Sequence, residues 1–227
     1  MTLLARLATA PEPPPAPAGP GWRGVDLGFP VAALPEEGFI ELAAVVERHD
    51  LVTVCVDSTI GAGTITDDFG TDLEELRVLA ERCPALGTRQ VRVGSPANAG
   101  LHADDWEYRV LRRLRELALR AEQADLVLLH PSTGGWPDGA EARLGHLLTE
   151  AGTPALRLLH TTGAGPLTAF VAERTAHVRV ADAGSTRLAA DLALLTAHGY
   201  RGALTLADDA AGAGSALQAL AAGRAEP

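Results

Sequence analysis

The chain has 227 residues, 47% of them hydrophobic and 21% charged, the proportions of one globular domain with a full core. Its net charge of −10 offers no basic footprint for DNA or RNA. It contains no lysine, which excludes Schiff-base chemistry and a Walker-type phosphate loop.

In chain order, Thr2–Ala8 reads as a short first strand, and Pro11–Pro20 as an extended Pro-rich linker that cannot be helical inside. Trp22–Leu27 is a strand closed by Gly28 and Pro30. Glu36–Asp50 is a helix with Phe39, Leu42, Val45 and Val46 on one face. The β-branched run Leu51–Val56 is a strand, and it opens into Asp57–Gly70, a loop rich in Gly, Thr and Asp. Asp72–Pro84 is a helix, with Thr71 as its N-cap and Glu74 at capping-box spacing. Gln90–Val93 is a strand, and Asp104–Ala124 a long helix.

Asp125–Trp136 stands out. Leu126–Leu129 is continuously apolar, as expected of a strand covered on both faces. It ends on His130, and Pro131 stops the ladder because it has no N–H. Beyond lie helix Gly139–Ala151, strand Ala155–His160, helix Pro166–Thr175, strand His177–Ala181 and helix Thr186–Gly199. Strand Arg201–Leu206 and a short helix over Ser215–Ala222 complete the series.

Eight strand candidates, seven followed by helical patterns, imply an α/β fold with a parallel sheet. Eight favours closure into a (β/α)8 TIM barrel over an open doubly wound sheet, and no G-x-G-x-x-G follows the early strands. The first βα unit is short or irregular. The domain division is residues 1–21 as a Pro-rich N-terminal segment and 22–227 as the barrel. Turns entering strands are short, and loops leaving them are longer and polar, so the site belongs at the C-terminal face.

Cys55 and Cys83 read as reduced, buried residues rather than a disulfide. No apolar run reaches the roughly 18 residues of a membrane span. Met1–Ala10 lacks the pattern of a signal peptide. A cytoplasmic protein with neither nucleic-acid nor membrane partners is expected, and a homo-oligomer is one way to cover the weak first unit.

The stretch Ala80–Asp209 resembles the sugar phosphate isomerase/epimerase family, with its xylose isomerase-like TIM barrel. The matching pieces are Gln90–Val93, Asp125–Trp136, Arg157–Gly163, His177–Asp182 and Tyr200–Leu206. The resemblance implies one divalent metal held by Glu, Asp, His and Glu, and proton transfer next to a carbonyl. Aligned on those motifs, the ligand positions hold Leu128, Thr161, Arg179 and Ala207, and Ala164 stands where a further histidine is expected. Leucine, alanine and arginine do not ligate such a cation. No metal or other cofactor is therefore expected, with the family's divalent ion as the runner-up.

On this alignment Leu128 takes an inward ligand position, so His130 also faces inward, because side chains alternate along a strand. Arg179 and His177 share the inward face of their strand, and Arg92 the matching face of its own. The expected pocket has Arg92, His130 and Arg179 at its base, with Asp57, His160 and Asp182 near the rim. His130 or His160 would be the general acid or base, since histidine titrates nearest neutrality. Arg179 would stabilise a developing enolate. Arg92, Asp57, Trp136 and Asp182 would bind substrate, Trp136 as part of a lid.

Each of these residues also has a purely structural reading. Arg92 is then a buried strand arginine paired with a carboxylate, and His130 a satisfied strand-end histidine. Asp182 caps the next helix, and Trp136 only packs. The function expected is isomerase/epimerase-like proton transfer on a small, polar, anionic, sugar-like or keto metabolite, without metal. A lyase or cyclase of secondary metabolism would use the same groups. A barrel without activity that binds a metabolite or protein is the alternative.

Overall fold

The computed structural model describes residues 4–9, 22–133, 141–181 and 187–206. Eight parallel strands form a closed barrel in chain order: β1 Leu4–Ala8, β2 Trp22–Pro30, β3 Val52–Asp57, β4 Gln90–Arg92, β5 Val127–Pro131, β6 Leu156–Thr162, β7 Thr175–Val180 and β8 Ala203–Leu206. Six helices connect successive strands from β2 onward: α1 Glu36–Arg48, α2 Phe69–Ala85, α3 Ala103–Gln123, α4 Glu141–Ala151, α5 Ala169–Arg174 and α6 Leu188–Ala197. The (β/α)8 reading holds. The ring is closed by β1 against β8, with Leu4 opposite Leu204 and Ala5 opposite Thr205. The strand expected ahead of the Pro-rich segment is thus a stave of the barrel itself. Residues 10–21 and the helix expected at Ser215–Ala222 lie outside the described residues.

The helices pack their apolar stripes on the outside of the ring. α3 buries Val110, Leu114, Leu117, Ala118 and Ala121. These join Val91 of β4 and Leu128 of β5 in one cluster. Each of the buried valines and leucines contributes about 1.5–3 kcal/mol by leaving water. A separate cluster fills the inside: Ala5, Cys55, Leu129 and Leu159, drawn from four strands around the ring. On β5 these two memberships set the facing, with Leu128 toward the helices and Leu129 inside. Both cysteines are free and buried.

Two local readings change. Helix α2 begins at Phe69, and its N-cap is Asp68, whose carboxylate accepts from the Gly70 N–H at 2.9 Å. Thr71 lies inside the first turn, and Glu74 pairs with Arg77 instead of closing a capping box. The chain turns in earlier because Asp68 is at least as good a cap as threonine. Strand β5 runs through Pro131, and the next amide, Ser132, still donates to the Leu159 carbonyl at 2.9 Å. Pro131 costs one donor without ending the ladder at once.

At the C-terminal face the β3–α2 loop crosses the β4–α3 loop. The Gly94 N–H donates to the Ile60 carbonyl at 2.8 Å, and a Cβ on Gly61 would come within 2.4 Å of the Gly94 carbonyl oxygen. Only glycine fits there, with φ +74° as a second reason. Among the described residues no helix is long and apolar enough to cross a membrane.

Candidate active site

Strand alternation delivers polar groups into the lumen, among them Asp26 of β2, Asp57 of β3, Arg92 of β4, His177 and Arg179 of β7, and Thr205 of β8. Register sets their levels. Asp57 pairs with Arg92, Arg92 with Leu129, and Arg179 with Thr205.

Arg179 is the hub. Its Nε and Nη2 donate to the two oxygens of Asp26 at 2.8 and 2.7 Å, a two-pronged pair. The same Nη2 donates to Asp57 Oδ1 at 2.6 Å, and Nη1 reaches Asp57 Oδ2 at 3.4 Å. Arg92 Nη1 donates to that Oδ2 at 3.1 Å. Behind Asp26, His177 Nε2 lies 3.1 Å from Oδ2 and 3.0 Å from the Thr205 hydroxyl. A carboxylate only accepts, so Nε2 carries the proton.

Exposure grades along this chain of charges. The Asp26 side chain is 0% exposed, Asp57 and Arg179 are 12% and 13%, and Arg92 is 40%. The lumen therefore opens to solvent at Arg92. Burial works to raise the Asp26 carboxyl, but the hydrogen bonds and charges of His177 and Arg179 outweigh it and hold the group at about 2. Burial works to lower Arg179, and the two carboxylates more than reverse that, so it stays cationic. Burial, joined by the negative charge of Asp26, pushes the Cys55 thiol well up, so it remains protonated.

The two catalytic histidines expected from sequence are elsewhere. His130 and His160 share strand faces with Leu128 and Leu158, whose side chains pack into the layer between barrel and helices. The inward residues at this level are Leu129 and Leu159. His130 therefore points away from the lumen, which corrects the expectation built on Leu128 as an inward position. Its Nδ1 lies 2.8 Å from the Pro131 carbonyl and so carries the proton, while Nε2 accepts from the Ser95 hydroxyl at 2.6 Å. His160 shares a hydrogen bond with Ser132 at 3.1 Å. Burial lowers both imidazoles to about 4, so both are neutral. They fasten the β4–β5 and β5–β6 strand ends.

Arg92, Arg179 and Asp57 do meet in one place. Trp136 and Asp182 lie outside the described residues. Asp26 was missed. The Asp set between Val25 and Leu27 was the available signal, because a carboxylate on a core strand requires a partner.

No protein-family model and no curated protein matches the chain. Solved structures do. A D-tagatose 3-epimerase-like protein superposes with a TM-score of 0.78 at 12% identity, over 97% of each chain. The 3-keto-D-glucoside 4-epimerase of E. coli gives 0.73 at 15%, over 98% of this chain and all of the other. A xylose isomerase-like TIM barrel protein from Mycobacterium smegmatis, solved in complex with magnesium, gives 0.68 at 16%, over 89% of this chain and 85% of the other. The fold is the xylose isomerase-like TIM barrel.

One of these similar structures holds magnesium. Of the positions aligned with ligands, Leu128 faces the helices, Thr161 lies beside Arg179 in register, and Arg179 is itself a cation. Among the described residues the one group of three donor side chains is Asp26, Cys55 and Asp57. Both carboxylates already hold the Arg179 guanidinium, and the third donor is a sulfur. This arrangement does not fit a hard divalent cation.

Proposed function

We propose that this barrel is an isomerase- or epimerase-like enzyme that moves a proton next to a carbonyl of a small anionic keto or sugar-like metabolite, without a metal. The observation that carries the reading is the chain Asp26–Arg179–Asp57–Arg92, graded from fully buried to half-open at the barrel mouth. The sugar epimerases among the similar structures make keto sugars and their anionic derivatives the first class to test.

The Arg92 guanidinium has one hydrogen bond within the described residues, to Asp57, and its other N–H groups donate to the substrate anion. As Arg92 turns to that anion, Asp57 Oδ2 gains a free lone pair and takes the proton from the carbon beside the carbonyl. Arg179 Nη1, whose contact to Asp57 is its longest, meets the developing enolate oxygen. Asp26 and His177 hold the guanidinium in place and take no proton. In an α-hydroxy carbonyl substrate, the hydroxyl proton passes to the enolate oxygen and Asp57 returns its proton to the former carbonyl carbon, so the carbonyl moves to the carbon that lost the first proton and the isomerisation is complete.

The test is deuterium uptake from solvent at the carbon next to the carbonyl, followed by NMR across keto and aldose substrates. Asp57→Asn is expected to abolish uptake, and His130→Asn to leave it in place. Uptake that survives Asp57→Asn removes Asp57 from the role of base. A complete lack of uptake, with substrate analogues still bound, favours the metabolite-binding alternative.

A further inference from the structure

We propose that Arg179 is the resident cation of the lumen, and that its side chain keeps a divalent metal out of a cage formed by Asp26, Cys55 and Asp57. The inference rests on the metal-independent reading above. Its test, however, reads metal uptake and not turnover.

The cage is geometric. One carboxylate oxygen each from Asp26 and Asp57 and the sulfur of Cys55 lie within 4.8 Å of one another, and all three residues are buried. Two oxygens and one sulfur make a donor set for a borderline ion such as Zn2+ or Co2+, not for Mg2+. The donors come from β2 and β3. They are none of the positions that align with ligands in the family resemblance.

What fills the cage is a guanidinium. It bonds both oxygens of Asp26 and both of Asp57. Two carboxylates in a dry lumen need a cation, and Arg179 supplies one tethered to β7. A free ion would have to displace a partner that cannot diffuse away. His177 Nε2 sits behind Asp26, where a donor to a carboxylate orients it toward whatever cation it holds.

Removing the guanidinium leaves two buried carboxylates with no cation between them, Asp26 held only by His177 and Asp57 only by Arg92 among the described residues. A divalent ion then restores the balance. It binds the two carboxylates and displaces one proton from the Cys55 thiol to solvent, forming a metal–thiolate bond.

The experiment is a Co2+ titration of the full chain, wild type against Arg179→Ala and Arg179→Met, read by absorption. Both variants are expected to develop a thiolate-to-cobalt charge-transfer band that saturates at one equivalent, and wild type none. Adding Cys55→Ser to Arg179→Ala should abolish the band. Dilute guanidinium chloride should compete with cobalt in Arg179→Ala and, without metal, raise its melting temperature toward wild type. If Arg179→Ala folds only with cobalt or guanidinium present, that rescue supports the proposal, and rescue by neither overturns it. The same band in wild type overturns it, as does a folded Arg179→Ala that takes up no cobalt. Deuterium uptake plays no part in these outcomes, so a failed mechanism and a failed cage are distinguishable.

Discussion

Arg179 grips Asp26 across the barrel from β7 to β2 through two parallel hydrogen bonds, 2.8 and 2.7 Å long, with the carboxylate fully buried. Such a pair adds little when intact, because both ions lost their water. It is costly to break, since one buried charge is then left alone.

Asp26→Ala should therefore lose about 3–5 kcal/mol of unfolding free energy, the usual cost of orphaning a buried partner. Denaturant unfolding at neutral pH measures this. A loss comparable to that of an exposed surface residue would mean that the pair is not desolvated.

Acid should unfold the protein partly through the same carboxyl. The folded Asp26 is held at about 2 against an ordinary value of 3.8, so its contribution is fully present above 3.8 and is lost as pH falls toward 2. Stability curves of wild type and Asp26→Asn should therefore converge over that interval. Parallel curves would show that Asp26 does not titrate there.

His130 and His160 act in the opposite direction from a paired histidine. Each is held at about 4, below the ordinary 6.5, so the folded state resists their protonation. Their neutral forms are compatible with the fold above 6.5, and stability declines as pH falls from 6.5 toward 4. Histidine NMR should show both rings neutral through most of that range. A ring titrating at its ordinary value would contradict its burial.

Arg92→Met should raise KM for an anionic substrate and change kcat far less, because the lost interaction serves ground state and transition state alike. Steady-state kinetics on an anionic and a neutral substrate of the same skeleton check this. An equal effect on both would remove Arg92 from anion recognition.

Asp68→Ala should cost about 1 kcal/mol by uncapping α2, whereas Thr71→Ala should cost a few tenths. Thermal unfolding of the two variants decides between them.

The strands were legible wherever β-branched or apolar runs stood between Gly- and Pro-rich turns, and their alternation with helices implied the closed ring. The facing of β5 was not legible. Leu126–Leu129 is apolar at every position, so no period of two marks an inside, and His130 was placed by resemblance alone. Leu129, not Leu128, packs with Ala5 and Cys55 inside. Arg92, Asp57 and Arg179 were found as candidates, but not the bonds among them. Asp26 and His177 are 151 positions apart in sequence, and no local pattern signals such a pair. The helix cap was a choice between Asp68 and Thr71 within one short loop, which spacing alone does not decide.

The seam of the ring sets the order of assembly. Leu4 pairs with Leu204, so the first stave has both neighbours only after the eighth has been made. Until then β1 and the growing end of the sheet expose unpaired backbone, and contacts so distant in sequence form slowly. Circular permutants that move the seam between two other staves should show this in their refolding rates, while the finished lumen stays the same.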